Sequence, residues 1–200
     1  MKESLTLSLL AALFAAGTAS AQTTGTEVQR NVDQQQRIEN GLQSGQLSTK
    51  ETSQLEKGEQ HIDRMEANAD KNGGPTAQQA AAIQKAQNRE SNAIYRDKHN
   101  AAAGNPNSAS SQRMQADVQR NVNQQARIEN GVKSGQLTNQ EAGKLERGQA
   151  HVNGAQARAG ANGRVGAREQ KSIQARENHQ SKRVYHKKHN GNGSATGQNG

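Results

Sequence analysis

His179, His186 and His189 are spaced by seven and then three residues, so a helix through them carries all three imidazoles near one face. Imidazole nitrogens in such a set are ligands for zinc, copper or nickel. Lys182, Arg183, Lys187 and Lys188 crowd the same stretch and oppose a bound cation. These lysines and arginines belong to a second candidate. Arg164, Arg168, Lys171, Arg176, Lys182, Arg183, Lys187 and Lys188 make a basic helix whose attraction to phosphate- or carboxylate-rich surfaces falls as salt rises. The alternative use of those charges is a solvated face that keeps the protein in solution. No aromatic stacking platform accompanies them, so nucleic acid would be held only non-specifically.

No pattern of catalysis accompanies these charges. The chain has no nucleophile and base at a telling spacing, no phosphate loop and no H-E-x-x-H, and its glutamates read as scattered over the surface. The expectation is a non-enzyme that takes no cofactor. His61 and His151, which recur at mid-helix, read as partly buried polar residues.

The elements that carry these residues come from a duplication. Residues 26–100 align without a gap on 116–190 at an offset of 90, sharing "VQRNV", "RIENG", "SGQL" and closing "KHN". The copies differ most in charge: 10 Lys and Arg against 11 Asp and Glu in the first, net −1, and 14 against 6 in the second, net +8. Within each copy mostly apolar or small residues recur every three or four positions, as in Val28, Val32, Gln35, Ile38 and Leu42 or Leu55, Gly58, Ile62, Met65 and Ala69. That is the period of amphipathic helices, and nothing alternates at period two. The spacing predicts three helices per copy, near 27–40, 48–69 and 77–98, and near 117–130, 138–159 and 167–188.

The junctions have helix-end chemistry. Ser48 with Glu51, and Thr138 with Glu141, read as capping boxes preceded by Leu47 and Leu137, and Thr76 with Gln79 repeats the pattern. Gly41 and Gly131 read as helix stops. Counted from Asn40 and Asn130, the junctions place Gly45 and Gly135 sixth and Glu51 and Glu141 twelfth, the skeleton of an EF-hand loop. The second junctions follow the pattern less closely, with Asn68, Asp70, Asn72, Gly73 and Gln79, then Arg158, Asn162, Gly163, Val165 and Glu169, so all four resemble degenerate EF-hand helix-loop-helix units. The first and third places hold Asn40 and Leu42, or Asn130 and Val132, so most of the acidic ligands that calcium wants are missing.

Around the copies the chain reads as follows. Residues 1–21 have one Lys, a short apolar run and Ala19-Ser20-Ala21, the layout of a secretory signal peptide cut after Ala21. The run is too short to span a membrane, so no transmembrane segment is expected once it is removed. Residues 101–113 read as a flexible linker between repeat one (26–100) and basic repeat two (114–190), and 191–200 as a disordered tail. No Cys occurs, which excludes disulfides and thiol chemistry. With 30% apolar residues and two Tyr beyond the leader, core material is scarce.

Leu47-Ser48-x-x-Glu51 and Leu137-Thr138-x-x-Glu141 resemble the L-T-x-x-Q signature of small periplasmic stress chaperones of the Spy and CpxP type, with Glu in place of Gln. The Ser-Gly-x-Leu-Thr-x-x-Glu pattern also resembles exported proteobacterial helical repeat proteins. Both resemblances imply a periplasmic or secreted location. The expected fold is all-α: two tandem three-helix repeats with EF-hand-like junctions, joined by a flexible linker. The expected function is contact with an anionic envelope surface, such as lipopolysaccharide or anionic lipid, or with a protein partner. The alternative is a periplasmic divalent-metal binder or buffer for zinc, copper or nickel, and less so for calcium.

Overall fold

The computed structural model describes the backbone of residues 12–193 and the side chains from residue 24 onward. Within these the protein is all-helical: α1 (Ala12–Ser44), α2 (Thr49–Ala69), α3 (Ala77–Lys98), α4 (Ala109–Lys133), α5 (Asn139–Ala159) and α6 (Ala167–Lys188). Single 3-10 turns, Asp70–Asn72 and Gly160–Asn162, finish α2 and α5. No described helix is long and apolar enough to cross a membrane. α1 begins inside the expected leader and continues past Ala21. Residues 1–11 of that leader and 194–200 of the expected tail lie outside the described residues.

Second and third helices start where the caps place them. Ser48 Oγ accepts from the Glu51 amide at 3.2 Å while the Glu51 carboxylate accepts from the Ser48 amide at 2.9 Å. Thr138 and Glu141 do the same at 3.2 and 3.3 Å, and Thr76 with Gln79 at 3.2 and 2.9 Å. Each bond satisfies an amide that the first helical turn leaves without a partner. At Gly166 only half the box exists: the Glu169 carboxylate accepts from the Gly166 amide at 2.8 Å, and no hydroxyl reciprocates.

Gly41 and Gly131 do not stop the first helices. α1 runs on to Ser44 and α4 to Lys133, and the left-handed turns fall at Gly45 (φ 76°) and Gly135 (φ 71°). Gly41 and Gly131 are glycine because a Cβ there would meet Cδ1 of Leu47 or Leu137 at 2.7 or 2.5 Å. These leucines fold back over the helix end and are buried there.

Residues 101–113 are a folded connection. Ser108 Oγ caps α4 by accepting from the Ser111 amide at 3.1 Å, so positions 109–113 are already helix. Upstream, the Gly104 amide donates to the Gly45 carbonyl at 2.8 Å, and a Cβ on Gly104 would lie 2.3 Å from the Leu47 carbonyl oxygen.

Helices of one sequence copy pack most extensively on helices of the other, α2 on α5 and α1 on α4. Both pairs are antiparallel. Gly143 of α5 lies against Asp70 at the end of α2, and Gly160 just after α5 lies against Ser53 near its start. Lys133 at the end of α4 donates to Gln29 of α1 at 2.9 Å. The apolar core is divided accordingly. One cluster joins Ile38, Leu42, Leu55 and Ile94 to Met114, Val118 and Ile173; the other joins Val28 to Ile128, Leu137, Leu145 and Val184. Each mixes residues from both copies, so neither copy has a core of its own. Burying a Leu or Ile side chain contributes about 1.5–3 kcal/mol, and a chain this short of apolar residues draws on both copies for each cluster.

Candidate functional site

α6 is built to leave a charged outer face. Its inward register is Ile173, Glu177, Gln180 and Val184, all buried, and the residues between face out. Arg164, Arg168, Lys171, Arg176 and Lys182 are exposed, while Arg183, Lys187 and Lys188 are half-buried. Ion pairs among the described residues are Arg96–Asp97, Arg120–Glu177, Lys133–Glu129 and Lys187–Glu141. Of the basic set, then, only Lys187 has a carboxylate partner, at 3.5 Å.

Between α5 and α6 lies an open groove of about 540 Å³, with Gly148 and His151 on one side and Ser172, Arg176, His179 and Arg183 on the other. Gly148 permits this approach of the helices, since a Cβ there would meet the Gln180 side-chain oxygen at 1.9 Å. Arg183 is anchored by a bond to the Lys144 carbonyl at 2.8 Å. Burial, with Arg147 as a like-charged neighbour, holds its guanidinium below the usual range. No carboxylate lines the groove.

The three C-terminal histidines do not converge. Among the described residues, the one set of three or more potential ligand side chains with atoms inside 4.8 Å of one another is Asp63, Glu66 and Glu146. His189 caps α6, with Nδ1 2.7 Å from the Tyr185 carbonyl and its ring stacked on Tyr185 at 4.3 Å. His99 and Tyr95 repeat this arrangement at the end of α3. It is therefore a helix-end device. His61 and His151 are exposed and not partly buried, because the inward register of α2 and α5 passes through Ile62 and Val152 beside them.

At the first junction of each copy the EF-hand positions serve packing and capping. Leu42, third in the first loop, is in the core, and Glu51, twelfth, is committed to its cap and to Asn100 Nδ2 at 2.7 Å. Burial works to raise the Glu51 carboxyl, but the bonds from Asn100 and Ser48 outweigh it and hold it low. Glu141 behaves alike through Asn190, Thr138 and Lys187.

Glutamates expected on the surface are instead turned inward. Glu56, Glu59, Asp63 and Glu66 of α2 and Glu146 of α5 are each 1% exposed or less. Burial pushes Glu56 and Glu146 up to about 8 and holds Glu59, Asp63 and Glu66 well above the carboxylate range, neighbouring carboxyls adding to the push. Around them burial raises Glu27 of α1 to about 8, and Asp70, Glu90 of α3 and Asp117 of α4 to about 7. Glu177 of α6 lies 2.9 Å from Arg120 Nε, yet burial and Asp117 outweigh that cation and carry it to about 8.

The duplication explains how such a seam is tolerated. At offset 90, Glu59, Asp63, Glu66 and Glu90 correspond to Gln149, Asn153, Gln156 and Gln180, and Gln87 corresponds to Glu177. All ten are buried. A protonated carboxyl and an amide have nearly the same shape, and each offers both a donor and an acceptor. The exchange is a sequence signal of burial that hydrophobic periodicity does not contain. It also bears on metal binding. Gln125 Nε2 donates to Asp63 at 3.3 Å and to Glu146 at 3.2 Å, Asn153 Nδ2 to Asp63 at 2.9 Å, and Asn31 and Gln87 amides to Glu66 at 2.6 and 3.0 Å. Amide hydrogens thus already engage oxygens of all three carboxyls, and a bound cation would compete with these donors; the bonds to Glu66 and Glu146 work against the burial that raises those groups.

No protein-family model, curated protein or solved structure matches the chain.

Proposed function

We propose that this is an exported, non-enzymatic protein of the bacterial envelope, built from two copies of a three-helix unit, that makes reversible electrostatic contact with anionic surfaces through its second copy. The observation that carries this reading is the set of exposed cations on α6 with no carboxylate partners, against a first copy that is near neutral. Unpaired charge on one face costs self-repulsion, which a polyanionic partner relieves while releasing its counterions. The leader-like first 21 residues and the resemblance to periplasmic stress chaperones support the location.

The test uses the whole chain, because each apolar cluster needs both copies. Arg168→Glu, Lys171→Glu and Lys182→Glu together should abolish binding to lipopolysaccharide and anionic vesicles. The matching changes in the first copy, at Gln78, Ala81 and Asn92, should not. For the unaltered protein, affinity should fall steeply with salt. Equal loss from both sets would remove the second copy from its assigned role. A divalent-metal role has less support, since the histidines lie apart and the acid trio is already engaged by amide donors.

A further inference from the structure

We infer that the α5–α6 groove is a discrete site for a phosphate monoester, whether on a soluble phosphorylated molecule or on a lipid headgroup. This rests on the reading of the second copy as the anion-contacting half and narrows it to one place and one chemistry. Arg176, Arg183, His151, His179 and Ser172 line the groove from two helices. Guanidinium forks match the oxygens of phosphate in pairs, whereas the ammonium of a lysine acts as a point charge. A hydroxyl and two imidazoles add neutral-capable donors, and the absence of a lining carboxylate leaves the set without an internal counter-ion. The groove's volume, about 540 Å³, lies within the range of small-molecule sites. Arg183 is held by the Lys144 carbonyl, so it is oriented in advance and loses less freedom on binding.

The first copy serves as an internal comparison. There Arg176, Arg183 and Ser172 correspond to Ala86, Ala93 and Ala82, on a helix of the same length and register. The fold therefore does not need arginine at these places. Arg176→Ala and Arg183→Ala restore residues that the same unit already accommodates.

The experiment is calorimetric titration of the intact protein with inorganic phosphate and glucose 1-phosphate. A parallel arm uses phosphatidylcholine vesicles doped with phosphatidic acid, a monoester, or phosphatidylglycerol, a diester. Saturable binding of a monoester should weaken about tenfold or more in the Arg176→Ala, Arg183→Ala double variant, as loss of charge-assisted bonds requires. A Lys144→Ala, Arg158→Ala control removes equal charge from exposed positions of the second copy outside the groove and should change affinity by less than about threefold. Circular dichroism confirms that both fold. Groove-dependent binding of phosphatidic acid alone assigns the ligand to a lipid headgroup, and binding of glucose 1-phosphate as well assigns it to soluble monoesters. If both double variants weaken vesicle binding equally and no monoester is preferred over the diester, the groove is overturned while diffuse electrostatic contact stands. If the intact protein binds none of these probes, both readings fail.

Discussion

Asn153 donates through Nδ2 to Asp63 Oδ2 at 2.9 Å, and these two residues occupy the same position in the two sequence copies. A residue meets its own counterpart only near a local twofold axis, here between antiparallel α2 and α5. Gln60, which donates to the carbonyl of its counterpart Ala150 at 3.0 Å, marks the same axis. At this axis the first copy has an acid and the second its amide. The pair is satisfied with a proton on the acid or with its charge held by amide donors, and burial favours the proton.

Stability should therefore fall as pH rises. Carboxyls whose folded values are raised bind more protons folded than unfolded, so their stabilisation is complete below about 4 and is lost as pH climbs to about 8, the value reached by Glu27, Glu56 and Glu146. Thermal melts should give a higher Tm at pH 5 than at pH 8.5. A Tm that rises over this interval would show that these groups are ionised in the folded protein.

Asp63→Asn with Glu66→Gln copies the second repeat's residues into the first. At pH 8.5 the pair should raise Tm by several degrees, since about 1 kcal/mol moves Tm by roughly 2–4 °C for a chain of this size. At pH 5 it should change little. A uniform effect at both values would separate the seam from the pH response.

Glu59 and Gln149, counterparts in the two copies, are buried and have no hydrogen-bond partner for either side-chain polar atom among the described residues. Removing an uncompensated buried polar group recovers about 1–3 kcal/mol. Gln149→Met, of similar length, should raise stability to chemical denaturation at every pH. Glu59→Met should do so more strongly above pH 8.

Gly131→Ala tests why the first helices contain glycine near their ends. In an exposed helix the change gains up to about 1 kcal/mol. Here the added carbon meets Leu137 Cγ at 2.8 Å, and the leucine is 2% exposed with nowhere to move. A net loss of about 1–3 kcal/mol in equilibrium unfolding is expected. A gain would show that Leu137 is not seated on the helix.

Ser48→Ala and Thr138→Ala should each cost about 1 kcal/mol, by loss of one side of a reciprocal cap. Glu51→Ala should cost more than Ser48→Ala, because the carboxylate also holds Asn100 at the end of α3. Urea unfolding of the three variants ranks them.

Local chemistry was written in the sequence. Ser48, Thr76 and Thr138 start helices because a hydroxyl and a carboxylate or amide three residues on answer each other within one turn, and no distant residue is consulted. What only the tertiary structure decided is where distant surfaces meet. Periodicity marks Glu56, Glu59, Asp63 and Glu66 as polar and therefore outward, but α2 is buried on two sides, against α5 of the other copy and against α1 and α3 of its own. The exclusion of water from that second side raises the carboxyls above their ordinary range beside their amide partners. Residues 101–113 were misleading for a related reason: small polar residues read as a free linker, yet Gly104 has no Cβ and so lies flat against the Leu47 backbone. Composition sets what a segment can do alone, and contact with the other copy sets what these residues do here.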